Sequence, residues 1–148
     1  SNFHFRTGYQ IVNYRALQTQ GMNNRNNQST AVLKRWRTEG DDFPGMLPRA
    51  YFNHPANNIG SDRYVEDGDF LRINSLSLEY EFPKRMTRKL FVDRLDIDAT
   101  VRRLYTWTAY TGQDPEIPRN LARPEWFGVD EGETPPPVEI TLSLNVQF

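Results

Sequence analysis

VEITLSLNVQF (138–148) alternates without exception. Val138, Ile140, Leu142, Leu144, Val146 and Phe148 fall on one parity, and Glu139, Thr141, Ser143, Asn145 and Gln147 on the other. Successive strand residues point to opposite faces, so this stretch specifies a strand with one apolar and one polar face. At about 3.4 Å per residue it extends about 37 Å, and tilted by about 45° it rises roughly 26 Å. Ordinary strands run to about 5–6 residues. Such a strand either crosses an apolar layer of about 25 Å, as outer-membrane barrels do, or lies half-buried in a soluble sandwich. Alternation alone does not separate the two.

Three further stretches share the pattern. In FLRINSLSLEYEF (70–82), Leu76, Leu78, Tyr80 and Phe82 share a face opposite Ser75, Ser77, Glu79 and Glu81. Leu71 and Ile73 have the other parity, so either a bulge sits near Asn74–Ser75 or the upper part leaves the sheet. In LDIDATVRRLYTW (95–107), Leu95, Ile97, Ala99 and Val101 alternate with Asp96, Asp98, Thr100 and Arg102. Arg103 then falls on the apolar parity, before Tyr105 and Trp107 resume it. A weaker strand is expected around 3–14, with Phe3, Phe5, Tyr9 and Ile11 in phase. No internal repeat is evident.

The connections are long, short and long: 15–69, 83–94, and 108–137 with its Pro115, Pro118, Pro124 and Pro135 to Pro137. Loops of this length are rare in compact soluble domains. An up-and-down barrel with elaborate loops at one rim and turns at the other shows this rhythm. Within the first connection, STAVLKRWRTEG (29–40) is expected to be a short helix, with Ser29 as N-cap, Leu33 and Trp36 as an apolar pair, and Gly40 as C-cap.

Composition agrees with a one-sided sheet. Apolar residues make up 37% of the 148 and aromatics 13%, with a mean hydropathy of -0.74. Soluble domains carry roughly 45–50% apolar residues. The net charge of -1 implies no general attraction to nucleic acid. The absence of cysteine excludes disulfides and thiolate metal sites. No run approaches about 18 apolar residues, so no transmembrane helix is expected, and a hydropathy window would miss a transmembrane strand. The chain begins SNFHF, without an initiator Met or signal peptide, which leads to the expectation of an upstream segment that has been removed or lies outside this sequence.

Candidates for chemistry are few. VEDGD (65–69) and VDEGE (129–133) lack the spacing of an EF-hand loop and read as solvated turns. No two of the 19 acidic residues are singled out as a glycosidase dyad. His4 and His54 stand far apart, favouring structural or surface roles over metal or catalysis. No G-x-S-x-G, H-E-x-x-H or P-loop is present. KRWR (34–37), without net positive charge, reads as a solvated helix face. The expectation is therefore of a protein that is not an enzyme, with no cofactor, metal or nucleic-acid partner. Trp107, Tyr110, Trp126 and Phe127 are the aromatics suited to stacking against sugars. Trp107 is better explained as an interface anchor, leaving Trp126 and Phe127 as candidates for ligand or partner contact.

Placing the C-terminus on the periplasmic side makes the topology self-consistent. Both long connections are then external and the short 83–94 link is a periplasmic turn. Tyr80, Phe82, Phe91 and Phe148 fall at the inner interface, and Tyr105 and Trp107 at the outer one, the depth amphipathic rings favour. Arg103 is then expected near the outer interface with its guanidinium snorkelling, or turned inward by a local bulge.

SDRYVEDGDFLRINSLSLEYEFP (61–83), DATVRRLYTWTAYTGQDPE (98–116) and the closing strand resemble the C-terminal end of SusC/RagA-type TonB-dependent outer-membrane transporters. GYQIVNY (8–14) and NNQSTAVLKRWR (26–37) resemble the segment before it, so the likeness covers most of the chain in the family's order. Two departures stand out. The family often has Asn-Leu-Phe where this chain has Arg103, Leu104 and Tyr105. Its terminal assembly signal often has Gly at the position of Ser143, while Thr141, Val146 and Phe148 match.

The resemblance implies an all-β fold, an antiparallel transmembrane barrel of about 22 strands, of which residues 1–148 would supply roughly the last four as a C-terminal fragment without plug or energy-coupling segment. It further implies the outer membrane of a Gram-negative bacterium and import of oligosaccharides or peptides. The implied partners are the rest of the same receptor, a SusD-like surface lipoprotein, the TonB complex and outer-membrane lipid. The alternative is a soluble all-β glycan-binding module. An all-β hydrolase has no supporting feature in the sequence.

Overall fold

The computed structural model describes residues 1–22, 26–53, 57, 59–116 and 124–148, so His54 and Pro118 lie outside the described residues. In chain order the elements are β1 (Asn2–Arg6), β2 (Gln10–Asn13), α1 (Tyr14–Gln20), β3 (Val65–Asp67), β4 (Phe70–Glu81), α2 (Lys84–Thr87), β5 (Arg94–Thr108), β6 (Val129–Asp130) and β7 (Glu139–Gln147). They form two compact units. One comprises Ser1–Thr7, Asp69–Ala109 and Pro135–Phe148, the other Gly8–Gly68 and Tyr110–Thr134.

The first unit is a four-stranded sheet in the order β1-β4-β5-β7. Every neighbouring pair is antiparallel, so within this unit the chain runs as an up-and-down meander. Register follows the alternation: Leu76 pairs with Val101 and that with Ile140, Leu78 with Ala99 and Leu142, and Tyr80 with Ile97 and Leu144. The polar residues pair likewise, Ser77 with Thr100 and Thr141, and Glu79 with Asp98 and Ser143. A slip of one residue would reverse every row, so the contrast between faces fixes the pairing.

The change of parity in β4 is a bulge within the sheet. Ile73 pairs with Tyr105 and Ser75 with Arg102, so Arg103 and Leu104 of β5 stand against Asn74 alone. The pairing with β1 shifts at the same place. Arg103 takes a left-handed φ of 54°, a conformation that costs a non-glycine residue on the order of 1–3 kcal/mol. The residues above the bulge stay paired, which settles the alternatives left by the alternation.

The short link folds back tightly. Pro83 precedes the single turn of α2, a 3-10 turn follows at Arg88–Leu90, and Phe91 closes it with φ 57°. Val92 N–H donates to Thr87 O at 3.2 Å, and Asp93 N–H donates to Gln147 O at 2.7 Å, tying the turn to the end of β7.

The second unit holds a small sheet in the order β3-β2-β6, β2 pairing antiparallel with β3 and parallel with β6. Ile11 of β2 is fully buried. Asn13 Oδ1 accepts from Ala16 N–H at 2.8 Å and so caps α1. Met22, Val32 and Leu47 form a separate core cluster with Ala31 against it.

Two expectations are corrected. The strand expected at 3–14 is two strands in different sheets, because Gly8 at φ 77° redirects the chain between them. The helix expected at 29–40 is a 3-10 turn over Thr30–Lys34 that ends at Arg35 rather than Gly40. Ser29 does cap it, its hydroxyl accepting from Ala31 N–H at 3.2 Å. The chain then extends, because Trp36 N–H donates to Leu47 O (2.8 Å) and Leu47 N–H to Lys34 O (3.0 Å), an alternative to further helical turns.

Candidate functional site

The most distinctive surface is one face of the meander. Leu78, Ile140, Leu142 and Leu144 are 72, 76, 74 and 62% exposed, with Leu76, Tyr80, Val138 and Val146 also exposed beside them. Burying one such side chain is worth about 1.5–3 kcal/mol, so a contiguous set facing solvent forgoes the main stabilisation available to it. Patches of this kind mark contact with a membrane or another apolar surface.

The opposite face is laced with polar contacts. Arg94 lies 3.2 Å from Asp96 and 3.3 Å from Glu81, with Glu79 at 3.8 Å. Asn145 Nδ2 donates to the buried Asp96 at 2.8 Å, and Thr100 Oγ1 donates to Ser77 Oγ at 3.0 Å. Higher up, Arg72 is buried; its Nε donates to Thr106 Oγ1 at 2.8 Å and its guanidinium stacks 5.3 Å from the Phe70 ring. The hub at Arg94 was not singled out in the sequence, although its even number continues the polar parity of 96 to 102.

The aromatics expected at interfaces pair up. Tyr80 and Phe82 are edge-to-face at 5.1 Å, as are Tyr105 and Trp107 at 4.9 Å. Leu71, beside Trp107 in register, and Phe5, beside Leu71, are exposed too. Of the terminal-signal residues, Thr141 pairs with Thr100 and Ser143 with Asp98 on the polar rows, Val146 pairs with Leu95, and Phe148 is 88% exposed beyond the end of β7.

In the second unit one carboxylate from each acidic stretch, Glu66 and Asp130, is a structural acceptor, while Asp67, Glu131 and Glu133 are exposed as solvated turns would be. Glu66 accepts from Thr111 N–H (2.8 Å), Thr111 Oγ1 (2.8 Å) and Asn13 Nδ2 (2.8 Å). Buried Asp130 accepts from the Tyr110 hydroxyl at 2.5 Å and from Gly132 N–H at 2.7 Å. Burial, reinforced by the bond to Asp130, pushes the Tyr110 phenol far above its ordinary range. Asn13, Thr111 and Asp130 line an open cavity of about 260 Å³ with Arg15, Thr19 and Gln113, but Asn13 and Asp130 spend their hydrogen bonds within the protein. Among the described residues no three His, Asp or Glu side chains are grouped as a metal site.

The candidate contact aromatics separate. Trp126 packs edge-to-face on Tyr14 at 5.5 Å, so it holds its own loop, while Phe127 is exposed. Tyr110 is buried and unsuited to stacking on a ligand. His4 packs edge-to-face on Phe70 at 5.3 Å, a structural role. In KRWR, Arg35 and Arg37 donate back to Val32 O and Leu33 O, both at 3.2 Å. Nearby, the N–H groups of Thr38 and Arg37 hold the Asp41 carboxyl below its usual range.

No family model matches the chain. The TonB-dependent receptor P39 of Formosa agariphila is 32% identical over 117 residues, 76% of this chain and 11% of that protein. TonB-dependent receptor P26 of the same organism is 30% identical over 120 residues, 79% of this chain and 12% of that protein. The RagAB peptide importer in its closed-closed state superposes with a TM-score of 0.76 at 18% identity, over 99% of this chain and 15% of the matched one. A second RagAB peptide transporter structure gives 0.71 at 21% identity, with the same coverage. The chain is similar in sequence to a segment of the TonB-dependent receptors. It spans about a tenth of the length of the curated receptors it matches. Its antiparallel architecture is like that of the corresponding part of the RagAB importer. Within that fold, the exposed apolar rows and the laced polar rows are the two faces of one antiparallel sheet.

Proposed function

We propose that these residues form the C-terminal wall of a barrel of about 22 strands in a TonB-dependent nutrient importer of a Gram-negative outer membrane. The observation that carries this reading is the apolar face of the meander, exposed along β4 and β7 while the opposite face carries polar side chains with hydrogen bonds and ion pairs among them. Lipid satisfies the first face and an aqueous lumen or plug the second. Two open sheet edges cannot stand in lipid, so β1 and β7 need further strands from the rest of the polypeptide.

On this reading the protein performs no covalent chemistry. It moves oligosaccharides or peptides inward, with a SusD-like lipoprotein outside and the TonB complex supplying energy through other parts of the receptor. Thr141, Ser143, Val146 and Phe148 carry the assembly signal, and Tyr80, Phe82, Tyr105 and Trp107 sit at the two membrane interfaces. Phe127 is available for ligand or partner contact; Trp126 supports it.

The soluble glycan-binding module fits less well, since a sandwich covers the face that is exposed here. The test is uptake of labelled oligosaccharides and oligopeptides by cells with and without the full-length gene. Loss of uptake of one class, restored by the gene, is expected. Unchanged uptake of both classes, or recovery of the full-length protein in the aqueous fraction, overturns the reading.

A further inference from the structure

We infer that Arg103 is an anchor that sets where the rigid β5–β7 pairing ends and where the segment leading into β7 is held. The backbone ladder between these strands stops at the pair Arg102 and Glu139. Just before it lie Pro135, Pro136 and Pro137, which have carbonyls but no N–H, so they cannot donate to an extended ladder.

The Arg103 side chain takes over there. Its Nε donates to Pro137 O at 2.9 Å, and its Nη2 lies 3.2 Å from Glu139 Oε2. The left-handed backbone of Arg103, at the bulge, places it beside this segment. One planar guanidinium thus holds a neutral carbonyl and a carboxylate two residues apart, a geometry that a lysine ammonium does not reproduce. On this inference any displacement of the chain before Pro135 stops at Pro137, while the register of β7 beyond Glu139 is set by its alternating faces. The inference goes beyond the importer reading, because it depends on no contact with lipid or substrate.

Hydrogen exchange of the full-length protein, resolved over 138–141 and 142–147, tests it. Arg103→Gly keeps the left-handed conformation and removes only the side chain. Exchange over 138–141 is expected to rise at least about tenfold, since the bonds to Pro137 O and to Glu139 are both lost, with 142–147 unchanged. Arg103→Lys and Glu139→Gln report on the same local exchange should the glycine variant fail to fold, and each is expected to give a smaller rise confined to 138–141. Unchanged exchange over 138–141 in the variants that fold overturns the anchor. So does uniform acceleration through Gln147, which would make Arg103 a support of the whole strand.

Discussion

Leu78 of β4 and Leu142 of β7 lie on one row of the sheet with Ala99 between them, and they are 72 and 74% exposed. The neighbouring row, Glu79, Asp98 and Ser143, points the other way. In water this arrangement wastes apolar surface; in a bilayer each row has its proper medium.

Substitutions on adjacent rows should therefore differ sharply. Leu142→Arg places a charge near the centre of the apolar band and is expected to cost about 2–4 kcal/mol in folding into lipid vesicles. Thr141→Arg, on the polar face, is expected to cost little. Urea titration of the full-length protein in vesicles measures both, and equal costs would contradict the assignment of faces.

Terminal Phe148 extends beyond the last paired residue and is nearly fully exposed, so its loss should leave the sheet's own contacts in place. Deleting it is expected to lower outer-membrane insertion of the full-length protein while leaving synthesis unchanged. Undiminished insertion by surface labelling would remove Phe148 from the assembly signal.

Tyr110→Phe should weaken the second unit. It leaves the buried Asp130 with one donor instead of two, a loss of about 1–3 kcal/mol. The phenol's pKa is raised in the folded state, so its contribution is fully present below its ordinary value of 10.0 and declines as pH rises above it. Exchange protection over 128–132 is expected to hold up to about pH 10 and to fall as pH rises above it in the native protein, and to fall less in the variant. Identical pH profiles would show that Tyr110 does not set the alkaline limit.

A β-carbon on Gly68 would lie 2.6 Å from the Tyr9 ring and 2.9 Å from Ile11 Cδ1. Gly68→Ala is therefore expected to cost about 1–3 kcal/mol by overpacking. Gly60→Ala, with open space around it, serves as the control. Denaturant titration followed by the exchange of 9–13 distinguishes them.

Trp126→Ala removes an edge-to-face contact with Tyr14, worth about 0.5–1.5 kcal/mol beyond the area buried. It should loosen its loop, whereas Phe127→Ala should leave the loop intact and lower ligand or lipoprotein binding. A normal binding isotherm for Phe127→Ala would end its candidacy.

The three long strands and their register were legible because alternation over nine or more residues admits one pairing that keeps both faces uniform. The bulge was visible only as a conflict of parity. Its location on β5 was hidden because arginine does not announce a left-handed φ as glycine or asparagine does. The family's frequent Asn at this position fits the conformation found. In the second unit, β3 and β6 have three and two residues, too few for periodicity to register. Asp130 and Glu66 read as solvated because their partners, Tyr110, Thr111 and Asn13, are distant in sequence. Val32 rather than Leu33 enters the core since the turn there is 3-10 and not α-helical.

The central claim is that the apolar rows face lipid. Single spin labels placed at each position from 139 to 147 of the full-length protein in bilayers would report collision with oxygen, which concentrates in lipid, and with a water-soluble nickel chelate. The account predicts alternation, with 140, 142, 144 and 146 open to oxygen and 141, 143 and 145 shielded from it. A flat profile, or nickel access at 142 and 144 equal to that at 141 and 143, would contradict it.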